Sequence, residues 1–204
     1  MNNNYNITII DYGMGNLHSV AKALEKVGGN VTISSNKNDI VQADKLVLPG
    51  VGSFGDCMLN LQKYDLIETI KNSLASEKPF LGICLGMQLL FENSEESPQV
   101  KGLGVFKGKV VKIIAPKLKV PHIGWNNLKL AKPSPILANS ENDYVYFVHS
   151  YYVVPRDAKL ITSFVEYGGK ITASIGKNHI QAVQFHPEKS SVAGLKILKN
   201  FVNL

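Results

Sequence analysis

Arginine is almost missing from this chain: of 22 basic residues among 204, only Arg156 carries a guanidinium. The forked donor that reads base edges and grips phosphates in pairs is therefore nearly absent, which argues against a nucleic-acid partner despite a formal net charge of +6. Cysteine is scarce as well. Cys57 and Cys84 make neither a disulfide framework nor a metal-ligand spacing, so no metal is expected, but a lone cysteine of this kind can be a nucleophile. Long apolar runs are lacking: the longest nearly unbroken one, Pro79 to Phe91, has 13 residues, short of the ~20 that span a bilayer, and is expected in the core. No membrane partner follows. The opening MNNNYNITII has neither the basic n-region nor the long apolar h-region of a signal peptide, so a cytoplasmic location is expected. Low-complexity tracts, internal repeats and linkers are also absent, and 45% hydrophobic with 19% charged residues is ordinary globular composition. A single domain over residues 1–204 is expected.

Acidic residues are missing locally. From Ser97 to Ser140 there are eight lysines and no Asp or Glu, so the remainder of the chain carries a net −2. A solvated lysine-rich face is the expectation, ahead of a docking surface for an acidic partner or phosphorylated substrate, because scattered exposed lysines are the norm.

What is present alternates. Ile7 to Asp11 is a short apolar run, followed by the turn Tyr12-Gly-Met-Gly-Asn16. Leu17, Val20, Ala21, Leu24 and Val27 then recur at helical spacing, closed by Gly28-Gly29. Strands are expected at Asn30–Ser34, Lys45–Leu48 and Pro79–Ile83, with helical patterns around Asp56–Gln62 and Leu66–Leu74. The second half reads differently, with strand-like stretches at Val105–Ile114, Tyr144–Val154, Leu160–Tyr167, Ile171–Ile175 and Ile180–Phe185, then an amphipathic helix over Val192–Val202. The expected class is α/β: a mostly parallel central sheet flanked by helices, with additional antiparallel strands in the C-terminal half.

Three local patterns carry chemistry. Gly82-Ile-Cys84-Leu-Gly86 stands where the fourth strand gives way to a helix near Leu85, a nucleophile elbow with sulfur in place of oxygen. A thiol there is favoured as thiolate by the helix N-terminus, and the Leu85 N–H is placed for an oxyanion. The alternative for Cys84 is a small buried strand residue. His186 ends the run Gln181–Phe185 and precedes Pro187 and Glu188. In an extended chain residues two apart share a face, so Glu188 can hold Nδ1–H and leave Nε2 free to take the thiol proton. The alternative is a strand-end turn with a surface ion pair. Leu48-Pro-Gly-Val-Gly-Ser-Phe-Gly55 lacks the spacing of phosphate and dinucleotide loops, and near an exposed cysteine it reads as a second oxyanion donor or as a glycine-rich turn entering a helix.

These patterns, in this order, resemble the class I glutamine amidotransferase family, whose triad is a cysteine elbow followed much later by His-Pro-Glu. The similarity includes Asp11-Tyr-Gly-Met-Gly-Asn, Pro49-Gly-Val-Gly-Ser-Phe-Gly and Gly82-Ile-Cys-Leu-Gly-Met-Gln-Leu-Leu. It continues through Val120-Pro-His-Ile-Gly-Trp-Asn, Tyr146-Phe-Val-His-Ser-Tyr-Tyr and Phe185-His-Pro-Glu-Lys-Ser-Ser, so it covers essentially the whole chain. The resemblance implies glutamine hydrolysis through Cys84, His186 and Glu188, with Leu85 and the Val51-Gly52 peptide as the oxyanion hole. It implies glutamine binding by Gln88, His149, Ser150 and Tyr151, and no cofactor. It further implies a heterodimer with a (β/α)8 cyclase subunit that receives the ammonia, faced by Asn16, Trp125 and Lys189. A related enzyme donating ammonia to sugar amidation in polysaccharide synthesis, or a stand-alone cysteine hydrolase, stays open. The lysine-rich stretch and the loss of arginine are not explained by the resemblance.

Overall fold

In the computed structural model, which describes residues 5–204, strand and helix alternate through the first half. The order is β1 (Asn6–Ile10), α1 (Leu17–Lys26), β2 (Asn30–Ser34), α2 (Lys37–Gln42), β3 (Lys45–Gly50), α3 (Phe54–Lys63), α4 (Ile67–Ala75), β4 (Phe80–Cys84) and α5 (Leu85–Gln88). Residues 1–4, the start of the segment on which the absence of a leader was judged, lie outside the described residues. The second half runs β5 (Asn93–Ser94), β6 (Gly108–Lys112), β7 (His122–Asn127), β8 (Lys129–Leu130), β9 (Tyr144–His149), β10 (Tyr151–Pro155), β11 (Ile161–Glu166), β12 (Lys170–Lys177), β13 (Ile180–Val183) and α6 (Ser191–Val202).

The central sheet has eight strands in the order β2-β1-β3-β4-β13-β12-β11-β8. The first five are parallel to their neighbours and the last three antiparallel. β1, β3 and β4 are near-continuous apolar runs because both their faces are covered. Ile7, Ile9 and Val47 pack with Val20 and Leu24 of α1 and with Ile197, Leu198 and Phe201 of α6. Ile10, Leu46 and Leu48 pack on the other face with Phe54 and Leu61 of α3 and Ile70 of α4. Lys45 is buried at the start of β3, where its ammonium donates to the Val202 carbonyl at 2.6 Å and the Phe201 carbonyl at 3.3 Å, at the C-terminal end of α6. Register places Gly50 opposite Cys84 and Ile83 opposite Val183. The carboxyl ends of β3, β4 and β13 therefore meet at one edge, the usual place for a site in a parallel sheet.

Four expectations need correction. α2 was not foreseen, although Asn36 caps it by accepting from the Asn38 N–H at 2.8 Å; its single buried residue, Ile40, gives no periodicity to read. The stretch Tyr144–Val154 is two strands in different sheets: β9 pairs with β7 as far as His149↔His122, and β10 pairs with β6 from Tyr151↔Lys112. Ser150 is the crossing point, its carbonyl taking the Ile113 N–H at 2.8 Å. Pairing also trims the expected Val105–Ile114 strand to Gly108–Lys112. Finally, the lysines of the lysine-rich stretch are mostly exposed, as expected, but they are divided between separate sheets. Lys107, just before β6, and Lys109, on it, pair with Glu92 at 3.0 Å and Glu95 at 3.3 Å, acids from outside the stretch. Lys129 and Lys132, near the sheet's far edge, bond to the Asn142 side chain and to the Lys159 and Gly176 carbonyls. Among the described residues no helix is long and apolar enough to cross a membrane.

Candidate active site

β4 is buried throughout and ends in a residue that is not extended: Cys84 has φ 55° and ψ −110°. A side chain held there costs roughly 1–3 kcal/mol and persists only where the surroundings fix it. Packing on both flanks does so. A Cβ on Gly86 would overlap the Leu48 carbonyl of β3, and one on Gly82 would press on the Gly86 carbonyl, so both glycines are required for backbone to lie on backbone. The helix that follows is a single turn from Leu85 to Gln88. Its dipole is correspondingly weak, and the sulfur's surroundings are set by side chains instead. Leu85 is the first helical residue, so its N–H has no acceptor within the turn.

His186 and Glu188 are brought together as expected, by a different route. Pro187–Lys189 is a 3-10 turn, not extended chain, and it folds the Glu188 carboxylate onto Nδ1 of His186 at 2.8 Å. The side chains are 4% and 1% exposed, so this is no surface ion pair. The His186 backbone is tied to β9: its N–H donates to the Tyr146 carbonyl at 2.9 Å. Ser190 Oγ donates to the His186 carbonyl at 2.6 Å and accepts from the Tyr146 N–H at 2.9 Å. Burial lowers the imidazole pKa, but interaction with the Cys84 sulfur and the Glu188 carboxylate outweighs it and raises the pKa to about 10. Nε2 is buried with no group in hydrogen-bonding geometry. Catalytic hydrogen bonds are often long in a site without substrate.

Cys84 opens on a small cavity of about 50 Å³ walled by Gly52, Leu85, Gln88, Glu96, Val148, His149, Ser150 and Tyr151. A roomier groove of about 340 Å³, beside Lys132 and Gln181, is lined by no cysteine or histidine. Gln88 is buried; its amide nitrogen donates to the Tyr151 carbonyl and to Gln184 Oε1, each at 3.0 Å, and its Oε1 has no partner. Gln184 Nε2 in turn donates to Cys84 Sγ at 3.6 Å. Both ring nitrogens of His149 are engaged, Nδ1 with the Tyr151 carbonyl at 2.9 Å and Nε2 with Nδ1 of His122 at 3.1 Å. Burial lowers both histidines to about 4, so the pair is neutral, with His149 Nδ1–H donating and its Nε2 accepting.

The second expected oxyanion donor lies at the same cavity through Gly52, which has φ 98°. Val51 does not wall the cavity. Its carbonyl accepts from the Cys57 thiol at 3.6 Å, while the Tyr12 hydroxyl donates to the Pro49 carbonyl at 2.8 Å. Sequence reasoning missed Gln184, Glu96, His122 and the Tyr12–Cys57 pair. Gln184 was findable, since it stands two residues before His186 in the stretch expected to be extended. Glu96 was not: it resembles its exposed neighbour Glu95, yet its carboxylate caps α3, accepting from the Phe54 N–H at 2.7 Å.

Asn16 and Lys189 are exposed, the first just before α1 and the second on the turn beside the triad. Trp125, 52% exposed, sits opposite Tyr146, with Ile123 opposite Val148 and Asn127 opposite Tyr144. Ile123, Tyr144 and Val148 are also exposed, making an apolar ladder on the outer face of β7 and β9.

Comparison with known proteins fits this geometry. The family model "Glutamine amidotransferase class-I" matches residues 8–204. The chain is 48% identical over 202 residues to the Imidazole glycerol phosphate synthase subunit HisH of Syntrophotalea carbinolica, covering 96% of this chain and 98% of that one. It is 51% identical over 195 residues to the subunit of the same name in Aquifex aeolicus, covering 95% and 94%. Among solved structures, PurLQS from Thermotoga maritima shares the fold with a TM-score of 0.77 at 18% identity, over 98% of each chain.

Proposed function

The chain belongs to the class I glutamine amidotransferase family, and from that premise we propose that it is the glutaminase subunit of an imidazole glycerol phosphate synthase, serving histidine biosynthesis in the cytoplasm. The observation that carries this reading is the buried Cys84–His186–Glu188 array opening on a cavity with an orphaned amide oxygen, in a chain about half identical to relatives of that name. In this mechanism Cys84 Sγ attacks the side-chain carboxamide carbon of glutamine. The tetrahedral oxyanion is met by the Leu85 N–H and by the N–H of the Val51-Gly52 peptide. His186, holding the proton taken from sulfur, passes it to the nitrogen as the C–N bond breaks and ammonia leaves. Water then attacks the thioester with His186 as base, releasing glutamate and restoring the thiol. Glu188 keeps the imidazole in the required tautomer.

At the other end of the substrate, Gln88 Oε1 and the Glu96 carboxylate are acceptors suited to the α-ammonium group, and the Ser150–Tyr151 segment, braced by His149, suits the carboxylate. The ammonia passes to a (β/α)8 cyclase subunit in a heterodimer. The partner's seat is the rim carrying Asn16, Trp125 and Lys189 together with the apolar ladder, which a stand-alone hydrolase would have no reason to expose. No nucleic acid, membrane or cofactor enters the scheme. In the complex, Cys84→Ala is expected to lower glutamine-dependent synthesis at least about 10³-fold while leaving ammonium-dependent synthesis intact. Equal loss of both activities would sink the assignment of Cys84.

A further inference from the structure

Gln184 is wholly buried, and a buried amide is stable only when its polar atoms are bonded. Both ends of this one are. Nε2 donates to Cys84 Sγ at 3.6 Å, and Oε1 accepts from Gln88 Nε2 at 3.0 Å. Gln88 spends its other amide hydrogen on the Tyr151 carbonyl at 3.0 Å. The direction of this chain is set at its far end, because a backbone carbonyl can only accept. The Tyr151 carbonyl therefore fixes the Gln88 nitrogen toward itself, and Gln184 must present its oxygen to that nitrogen. That leaves the Gln184 N–H group, never its oxygen, facing the sulfur. Turning Gln88 over would set oxygen against oxygen, and turning Gln184 over would set one N–H group against another, in a buried place.

We propose that Gln184 is a positioning residue that couples the nucleophile to the substrate pocket: its N–H holds Cys84 as thiolate, and its oxygen locks Gln88 with Oε1 turned into the cavity. A neutral donor favours the thiolate without adding a charge that would compete with His186. The same lock leaves Gln88 Oε1 as a buried acceptor without a partner in the protein, open to an incoming donor. The pocket half of this inference rests on the glutaminase reading above; the sulfur half does not.

The two halves separate in two variants. Gln184→Leu removes both contacts, whereas Gln184→Glu keeps an acceptor for Gln88 and puts a negative charge beside the sulfur. Alkylation of Cys84 by iodoacetamide at neutral pH, followed on its own peptide by mass spectrometry, is expected to slow about fivefold or more in Gln184→Leu and about tenfold or more in Gln184→Glu, one unit of thiol pKa being tenfold in thiolate. KM for glutamine, measured with the cyclase present, is expected to rise about fivefold or more in Gln184→Leu and to stay within about twofold in Gln184→Glu, since only the first frees Gln88. Alkylation at the wild-type rate in either variant, or an equal change of KM in both, overturns the proposal. Should the variants fail to fold, the 15N-labelled wild-type protein decides: the Gln184 side-chain amide resonances are expected to move when Cys84 alone is alkylated, and unmoved resonances overturn the contact. A wild-type chain that alkylates normally yet never hydrolyses glutamine beside its cyclase would fail the functional reading, with the sulfur half still tested.

Discussion

The junctions that follow β3 and β4 lie side by side at the same edge of the sheet, each leads into a helix, and each holds a cysteine with a very different fate. After β3 the chain runs Pro49–Ser53, and Cys57 comes a turn into α3, fully buried under Tyr12. Burial, opposed only in part by the Tyr12 hydroxyl, pushes its thiol up to about 11. After β4 the strained elbow lifts Cys84 to the cavity wall, against an amide N–H and within the field of an imidazole backed by a carboxylate. Both thiols are buried in area, so exposure does not separate them. What separates them is the company: Cys57 donates its S–H to a backbone carbonyl, whereas Cys84 accepts from a side-chain amide.

The largest way to blur that contrast is to weaken the imidazole's support. Glu188→Gln keeps the size and removes the charge, and is expected to lower kcat about 10²–10⁴-fold, as loss of the orienting carboxylate does in such triads. The pH profile sharpens the test. The Glu188 carboxylate and the Cys84 sulfur both raise the His186 pKa, so the imidazolium survives to higher pH than an ordinary histidine. Activity that needs this proton for the leaving ammonia is lost as pH rises through the raised value. With one support removed the alkaline limb should move to lower pH, and a limb that stays in place in Glu188→Gln would show that the carboxylate only orients the ring. Because thiol and imidazole titrate together, the limb reports the pair and not one residue.

Reactivity tests the two thiols directly. With its pKa near 11, Cys57 is thiolate in only about one molecule in 10⁴ at neutral pH, and it is covered besides. In the folded wild-type protein, Cys84 is therefore expected to react with iodoacetamide at least about 10²-fold faster than Cys57, read peptide by peptide. Comparable rates would mean that the company around Cys84 contributes nothing to its ionisation.

How much of this contrast was legible beforehand follows the range of each interaction. The alternation of strand and helix in the first half, the elbow and the His-Pro-Glu pair are written in contiguous residues, and the fold and the 2.8 Å contact between His186 and Glu188 follow from them. The reason given for that contact was an extended chain, and the structure supplies a 3-10 turn, because Pro187 starts one readily. What could not be read were partnerships across long separations. Gln88 meets Gln184 96 residues away, and Tyr12 meets Cys57 45 residues away, through strands that become neighbours only in the sheet. The division of Tyr144–Val154 into two strands was equally hidden, since Ser150 changes the pairing partner without breaking the apolar run.

The smallest expected effects come from the quiet junction itself, and they bear on whether Cys57 is structure alone. Tyr12 is fully buried with its hydroxyl on the Pro49 carbonyl at 2.8 Å and within 3.5 Å of the Cys57 sulfur. Tyr12→Phe leaves that carbonyl without its donor in a buried place, a loss of about 1–3 kcal/mol. Cys57→Ala removes a weaker donor from the Val51 carbonyl and leaves a hole the size of a sulfur atom, about 1 kcal/mol, or roughly 2–4 °C in Tm for a chain of this length. Because both side chains grip one stretch of backbone and touch each other, the double variant should lose less than the sum, a coupling that a thermal or urea unfolding cycle can measure. Neither group meets the cavity that Cys84 opens on, so Cys57→Ala should leave both glutamine-dependent and ammonium-dependent synthesis within about twofold of wild type, within the ordinary scatter of context effects. A glutamine-specific loss in Cys57→Ala would instead tie the Val51 carbonyl, and with it the Gly52 N–H on the same peptide, to the oxyanion step.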